Sequence, residues 1–487
     1  MKTMKIYSIF ILIIALNYAC TKSFFDLYPT DQLTEGNFFT NSNDYEAILN
    51  DGYRLLRTPY NVHYVIGDLA SDDAYNSKHN NNVDRITMNE SNVSSDNGVL
   101  NIIWSGSYAV ISRANMVLDK IDNCSMQNEL KNRYKGEAKF LRSLMYFNLI
   151  RIFGDVPLVL TEVDSPEKAF EYSRESIDII YTQIIADLTD SEKWLPDVYT
   201  KNSEAGRATS LAAKSLLGHI FLTRKNYDDA ASKLLEVINS NKHNLLTNYE
   251  DVFDAAQSNN EEVIFAVQFA RGLYPAQGNP LVYAAWPNES VGDHPLLRLG
   301  SGNFLMTGDL ERAFEENDKR KLMNNYDFIT GYAARYVFTR KFWDKHMVDK
   351  LDSGCDYIIY RYADILLMYA ETQNELNRPN EALKYLKIIR DRAGLVTDDN
   401  LGSSQSLMRL ALEKERRIEL NNEGHRWFDL LRTDRLIPVM NAHFKDTTLS
   451  DWEIGTNNSI EEYELVFPIP LFEVNLNPDK IVQNPGY

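Results

Sequence analysis

Apolar residues recur at intervals of three and four along most of this chain, and the stretches between them are polar. Trp104, Tyr108, Ile111, Asn115 and Leu118 keep that spacing, which predicts a helix over 104–121. A partner follows at about 130–153, with Ala138, Leu141, Leu144, Met145, Phe147 and Leu149, and Gly154-Asp155-Val156-Pro157 stops it. Upstream, Thr40 to Asp44 reads as a helix entry leading into Ala47, Ile48, Leu49 and Leu55. Ser173-x-x-Ser176 opens a further helix through Leu188. Two runs depart from this period. EEVIFAVQFA (261–270) is a buried-strand candidate, and RYVFTRKFWDKH (335–346) alternates like a strand and ends in an aromatic loop.

An internal repeat sits on this pattern. In 216–238, Gly218, Phe221, Tyr227 and Ala230 stand at the spacings of a tetratricopeptide unit. Small residues at Gly218 and Ala230 let two antiparallel helices close up, and Tyr227 fills the wedge between them. Residues 363–389 repeat the form, with Ala370 and Ala382 again twelve apart and Pro379-Asn380 starting the second helix. With two looser pairs before them, these predict a mostly α scaffold. The repeats are separated by 241–355, where 271–295 (RGLYPAQGNPLVYAAWPNESVGDHP) is rich in Gly, Pro and aromatics. From Gly67 to Asn97 the chain reads as a long polar loop full of Asp, Asn and Ser. Residues 21–45 read as an extended arm, and the Pro/Asn-rich tail 463–487 as irregular. A rigid repeat scaffold with long insertions on one side is the expected architecture.

Composition narrows the function. The 487 residues are 44% hydrophobic and 25% charged, which is globular. With 51 Lys+Arg against 69 Asp+Glu the net charge is −18, so the surface repels phosphate backbones and nucleic acid is excluded as a partner. Residues 1–19 read as a lipoprotein signal peptide: Lys2 and Lys5 precede the apolar run Ile6–Leu16, too short to span a bilayer. The run leads to Ala19-Cys20, so Cys20 is the expected lipidation site, although Asn17 stands where such sites usually carry Leu. The mature chain, 20–487, is expected as a single domain, its N-terminal part about 20–240 and its C-terminal part about 241–487. Cys124 and Cys355 show no metal or redox spacing and read as a disulfide or as two buried thiols.

The densest stretch is LEKERRIELNNEGHRWFDLLR (412–432). Glu413 and Arg417 have the favourable i,i+4 order, Gly424 weakens a helix or marks a close backbone approach, and Trp427, Phe428, Leu430 and Leu431 form an apolar stripe. The order ERRIEL-x2-EGHRWFDLLR resembles the C-terminal signature of the SusD/RagB family, nutrient-binding lipoproteins of the outer membrane that mostly bind glycans. The likeness extends over nearly the whole chain: FFDLYPTDQLTEGNFF (24–39), Trp104-x3-Tyr108 with Ala114-Asn115, YKGEAKFLRSLMYFNLIRIFGDVPLV (134–159), RYADILLMYAE (361–371) and the FPIP…NP…QNPGY ending. Relatives bound for the cell surface often carry acids soon after the lipid cysteine; here the first is Asp26. The resemblance implies four tetratricopeptide-type helix pairs carrying a looped ligand face. It also implies a SusC-like TonB-dependent transporter as partner, and a lipid-anchored, surface-exposed place on the outer membrane.

A sugar has flat apolar faces and polar edges, so its binder needs exposed aromatic planes with Asn, Asp, Arg or Lys beside them. Tyr274, Tyr283 and Trp286 fit that requirement, beside Asn279, Asn288 and Glu289; Trp286 reads as a ligand contact or as a loop anchor. Trp343, beside Asp344 and Lys345, is a second candidate, and Tyr75, Asn76 and Lys78 in the polar loop a third. Trp104 and Trp427 read as core, His425 as a packing residue, and Trp194 and Trp452 fall to neither class. No HExxH, GxSxG or phosphate-binding Gly loop is present, so neither a catalytic constellation, a metal nor a cofactor is expected. A peptide-binding lipoprotein of a RagAB-like importer and a helical-repeat glycosidase are the alternatives; carboxylate pairs decide nothing among 69 acids.

Overall fold

The computed structural model describes residues 39–287, 300–324, 326–329, 335–456 and 459–487. The signal peptide, Cys20, residues 21–38 of the expected arm, Asn288 and Glu289 lie outside the described residues. No helix among the described residues is long and apolar enough to cross a membrane.

The chain is mostly helical. Helix α1 (Ser42–Leu55) begins where the sequence places an entry, with Asn41 and Asp44 forming a reciprocal capping box. The polar stretch after it is more ordered than a loop. It starts in a π-helical turn (Val65–Leu69), gives the short strand β1 (Ala74–Tyr75), and continues in α2 (Val83–Asn89), where the Asn82 side chain accepts from the Arg85 N–H. α3 (Gly98–Lys120) lies between α1 and α4 (Asn128–Phe153), and α4 packs most extensively on α5 (Ile177–Trp194). The pairing of 104–121 with 130–153 is present, since α3 packs on α4, and α4 packs in turn on α5.

The two later pairs are where the repeat spacing puts them: α6 (Ser210–Thr223) with α7 (Tyr227–Asn239), and α8 (Tyr362–Glu375) with α9 (Pro379–Ala393). The absence of a side chain at Gly218 is needed, since a Cβ there would come within 2.7 Å of Leu234. Ala230, Ala370 and Ala382 are fully buried. Between the pairs, β2 (Val263–Val267) runs antiparallel to β6 (Tyr357–Arg361), with Val263 opposite Arg361 and Val267 opposite Tyr357. β3 (Leu305–Met306) pairs with β1, and β4 (Tyr326–Ile329) with β5 (Arg335–Phe338). The tail holds a 3-10 turn at Glu462–Leu465 and a short helix at Leu471–Leu476, and otherwise runs irregularly. Cys124 and Cys355 are buried free thiols.

The signature stretch forms α10 (Gln405–Glu419), a turn, and α11 (Arg426–Arg432). The expected Glu413–Arg417 pair gives way to partners distant in sequence. Glu413 accepts from Arg435, while Arg417 reaches Asp73 at 2.6 Å and Asp309 at 2.8 Å. A buried ionic lattice surrounds the turn. Arg361 holds Glu262, Glu419 and Glu423; Arg320 holds Asp318, Glu415 and Glu419; Lys341 donates to Glu423 and to the Asn421 carbonyl. Burial opposes ionisation of Glu423, yet Arg361 and Lys341 outweigh it and hold the carboxyl at about 2. Gly424, at φ +82, is the close approach the sequence allowed for. A Cβ on it would lie 2.3 Å from the Tyr357 hydroxyl, and a Cβ on Gly67 would lie 2.3 Å from the Gly424 carbonyl. His425 contributes its carbonyl to the first turn of α11, and Trp427 packs on Phe467 in the core.

Candidate ligand-binding face

The fastening at α10 and α11 decides where the polar loop stands. Arg426 grips Asp72 with two bonds of 2.8 and 2.9 Å, and the Gly424 N–H donates to Asp68 at 2.8 Å. Burial alone would neutralise Asp72; Arg417 and Arg426 keep it ionised and below the usual carboxylate range. Asp68 lacks such partners, and burial pushes its carboxyl well up. β1 and the 76–82 segment leave directly from this clamp.

From there the chain is stitched to the insertion. Ser77 N–H donates to the Gly302 carbonyl, and Asn80 donates to the Ser301 carbonyl and pairs with Asn303. Ser301 N–H donates in turn to the Tyr283 carbonyl, and Gly302 N–H to that of Trp286. Trp286 meets Trp343 edge-on at 5.9 Å. A bridge between Asn279 and Ser353, and the pairing of Arg271 with Asp344, bind the 270–279 hairpin to the 343–354 loop. One run of contacts therefore joins the segments that carry the three sequence-distant candidate groups.

Their exposures differ sharply. Tyr274, near the hairpin tip, is fully exposed (101%), and Lys78 is also exposed. Tyr283 and Trp343 are half-buried, and each carries a cation over its ring: Lys350 at 4.3 Å and Arg340 at 4.4 Å from the centroids. Trp286, at 3% exposure, is inside the core against Phe338 and Trp343, so the loop-anchoring alternative describes its place. Tyr75 and Asn76 are buried too, because β1 pairs with β3 and the Asn76 N–H donates to Asn89. Neither Trp286 nor Tyr75 presents a ring face to solvent.

Sequence reading left one residue of this face unassigned. Trp452, in the single-turn helix α12 (Asp451–Ile454), stands beside Asn76, Lys78 and Asn89 at a cleft of about 200 Å³. Its signal was the Asp-Trp-Glu step in a polar, Gly-ended turn, but the neighbouring wall comes from residues some 370 positions earlier. Trp104 is core, as expected, and the Trp194 ring carries Lys139 at 5.3 Å. Among the described residues, no cluster of His, Cys, Asp and Glu could hold a metal ion.

A helical-repeat scaffold that presents a stitched loop face defines a class of binding protein. The comparisons with known proteins make the class specific. Residues 24–222 match the family described as "Starch-binding associating with outer membrane", and residues 314–487 match the SusD family. The chain is 30% identical over 424 residues to SusD-like protein P25 of Formosa agariphila, covering 79% of each chain. It superposes on a laminarin binding SusD-like protein with a TM-score of 0.78 and 25% identity, covering 92% of this chain and 100% of that one. Surface glycan-binding protein A from Bacteroides thetaiotaomicron in complex with laminarihexaose gives a TM-score of 0.77 at 21% identity, covering 91% and 100%, a likeness of fold. The chain belongs to the SusD family.

Proposed function

We propose that this protein captures oligo- or polysaccharide at the outer membrane without cleaving it and delivers it to a SusC-like TonB-dependent transporter. The carrying observation is the stitched face itself, built of exposed and half-exposed aromatics with amides and cations at their edges, in a chain of the SusD family that aligns with a laminarin binding relative. Lipidation of Cys20 would tether the chain, and Tyr274, Tyr283, Trp343 and Lys78 are the positions from which the face would meet a glycan. Trp286, Tyr75 and Asn76 would act behind them, holding the backbone in place.

Electrophoresis of the purified protein through gels containing laminarin, starch, xylan or mannan tests the binding. Retardation in one gel with no release of reducing ends supports the reading. Released reducing ends would establish a glycosidase, and co-purified peptides with no retardation would establish a peptide importer. Cys20→Ala should shift the protein from the membrane to the soluble fraction, and pull-down of a barrel protein from solubilised outer membrane tests the transporter.

A further inference from the structure

The 200 Å³ cleft under Trp452 is smaller than a site for a whole drug-sized ligand. Its wall is unusually uniform in chemistry: Asn76, Asn80, Asn81 and Asn89 all line it, with Lys78 as its cation. The amides of Asn76, Asn80 and Asn89 are bonded within the chain, and Asn81 is exposed; an amide both donates and accepts, as a hydroxyl does, and so matches the edge of a sugar better than that of an anion. Glu90 and Asp451 also line the cleft and disfavour a carboxylate or sulfate there.

Trp452 differs from the other aromatics of the face. The residue is 53% exposed and, among the described residues, its ring meets no other aromatic ring and no cation, whereas Tyr283 and Trp343 are each covered by a cation. The ring is also held from behind. Ser450 and Glu453 form a capping box, the Trp452 carbonyl accepts from Asn89, and Gly455 packs so closely on Glu90 that a Cβ would lie 2.9 Å from its Cγ. The open side of the cleft is formed by Lys78 and Asn81, both exposed, while Asn76 is buried behind them.

We infer that Trp452 and the cleft beside it form a subsite for one uncharged pyranose ring, with the sugar face stacked on the indole and its hydroxyls turned to the exposed Asn81 and Lys78. The inference rests on the glycan-binding reading and names the ligand's charge class and the residue that stacks on it. The rest of the oligosaccharide would leave the cleft past Lys78 toward Tyr274 and Tyr283.

The test is calorimetry of the full mature chain against laminarihexaose, cellohexaose, mannohexaose and xylohexaose, with tetragalacturonate as the charged probe. Trp452→Ala should weaken binding of the preferred neutral hexamer by about tenfold or more. Trp452→Phe, which keeps a ring, should stay within about threefold while reducing the ligand-induced change in tryptophan fluorescence to what Trp343 contributes. Wild-type affinity in Trp452→Ala, together with a loss in Tyr274→Ala, would overturn the subsite and leave the glycan reading standing. Preference for tetragalacturonate would overturn the charge class. Absence of binding to every glycan, with peptides bound instead, would overturn the reading and the inference together. Because Trp452 is exposed, an unchanged melting temperature in Trp452→Ala separates lost binding from lost fold.

Discussion

The fastening around Glu419 and Gly424 and the face around Trp452 and Tyr274 are written in much the same alphabet. Both are dense in acids, bases, asparagines and aromatics. In the fastening, Arg361, Arg320 and Lys341 are buried and share their carboxylates among themselves, and Trp427 is shut in the core. On the face, Lys78 is exposed and joins no ion pair among the described residues, and Tyr274 and Trp452 are open to solvent. Residue type does not separate the two regions; burial does, since the charges of the fastening are shut away from water and those of the face are not.

The contrast is broken most severely at Glu419. It accepts from Arg320, Arg361 and Arg392, so Glu419→Leu leaves three buried guanidiniums short of a partner and should cost about 3–5 kcal/mol or prevent folding, as measured by denaturant unfolding. Next in size is Trp286→Ala, which empties a core position and should cost about 3 kcal/mol by the same measurement, although the residue lies in the aromatic insertion. Gly424→Ala should cost about 2 kcal/mol, because the new Cβ meets Tyr357 and His63 and the backbone is left-handed; chemical denaturation read against Gly424→Asn, which tolerates that φ better, separates the two causes.

A smaller effect tests the dryness of the fastening. Burial, with Arg151 adding to it, holds His63 down to about 3, so between about pH 3 and 6.5 the unfolded chain binds a proton there that the folded chain does not. Stability therefore rises with pH across that window, by at most about 1.4 kcal/mol per pH unit from this group. His63→Gln should flatten that limb of the profile, and identical slopes in the two proteins would show the site to be wet. The least effect is at Tyr274→Ala, which should leave stability within about 0.5 kcal/mol and change only ligand affinity, by calorimetry.

Legibility in the sequence followed the range of the contacts. Gly218, Ala230, Ala370 and Ala382 announce the helix pairs because each repeat closes within some thirty residues, and the β2 strand is a compact apolar run. The polar stretch 67–97 reads as loop because Asp72 and Asp73 are satisfied by Arg417 and Arg426, which no local window contains. The same distance explains the pairing of Arg417 with Asp73 in place of Glu413. On the face, the sequence brought forward aromatics in Gly/Pro loops without distinguishing the exposed Tyr274 from the buried Trp286. It could not promote Trp452, whose importance comes from the Asn76–Asn89 wall opposite it.

That wall carries a consequence for how the protein becomes competent. The stitched face draws on position 75 and on position 452, with segments near 283, 301 and 343 between them, so nothing short of nearly the whole chain can build it. A chain made N-terminus first holds the asparagines long before it holds the tryptophan. Contacts of such long sequence separation form late. The face is then a property of the finished molecule alone: a half-made or clipped copy can retain its helix pairs and still lack it.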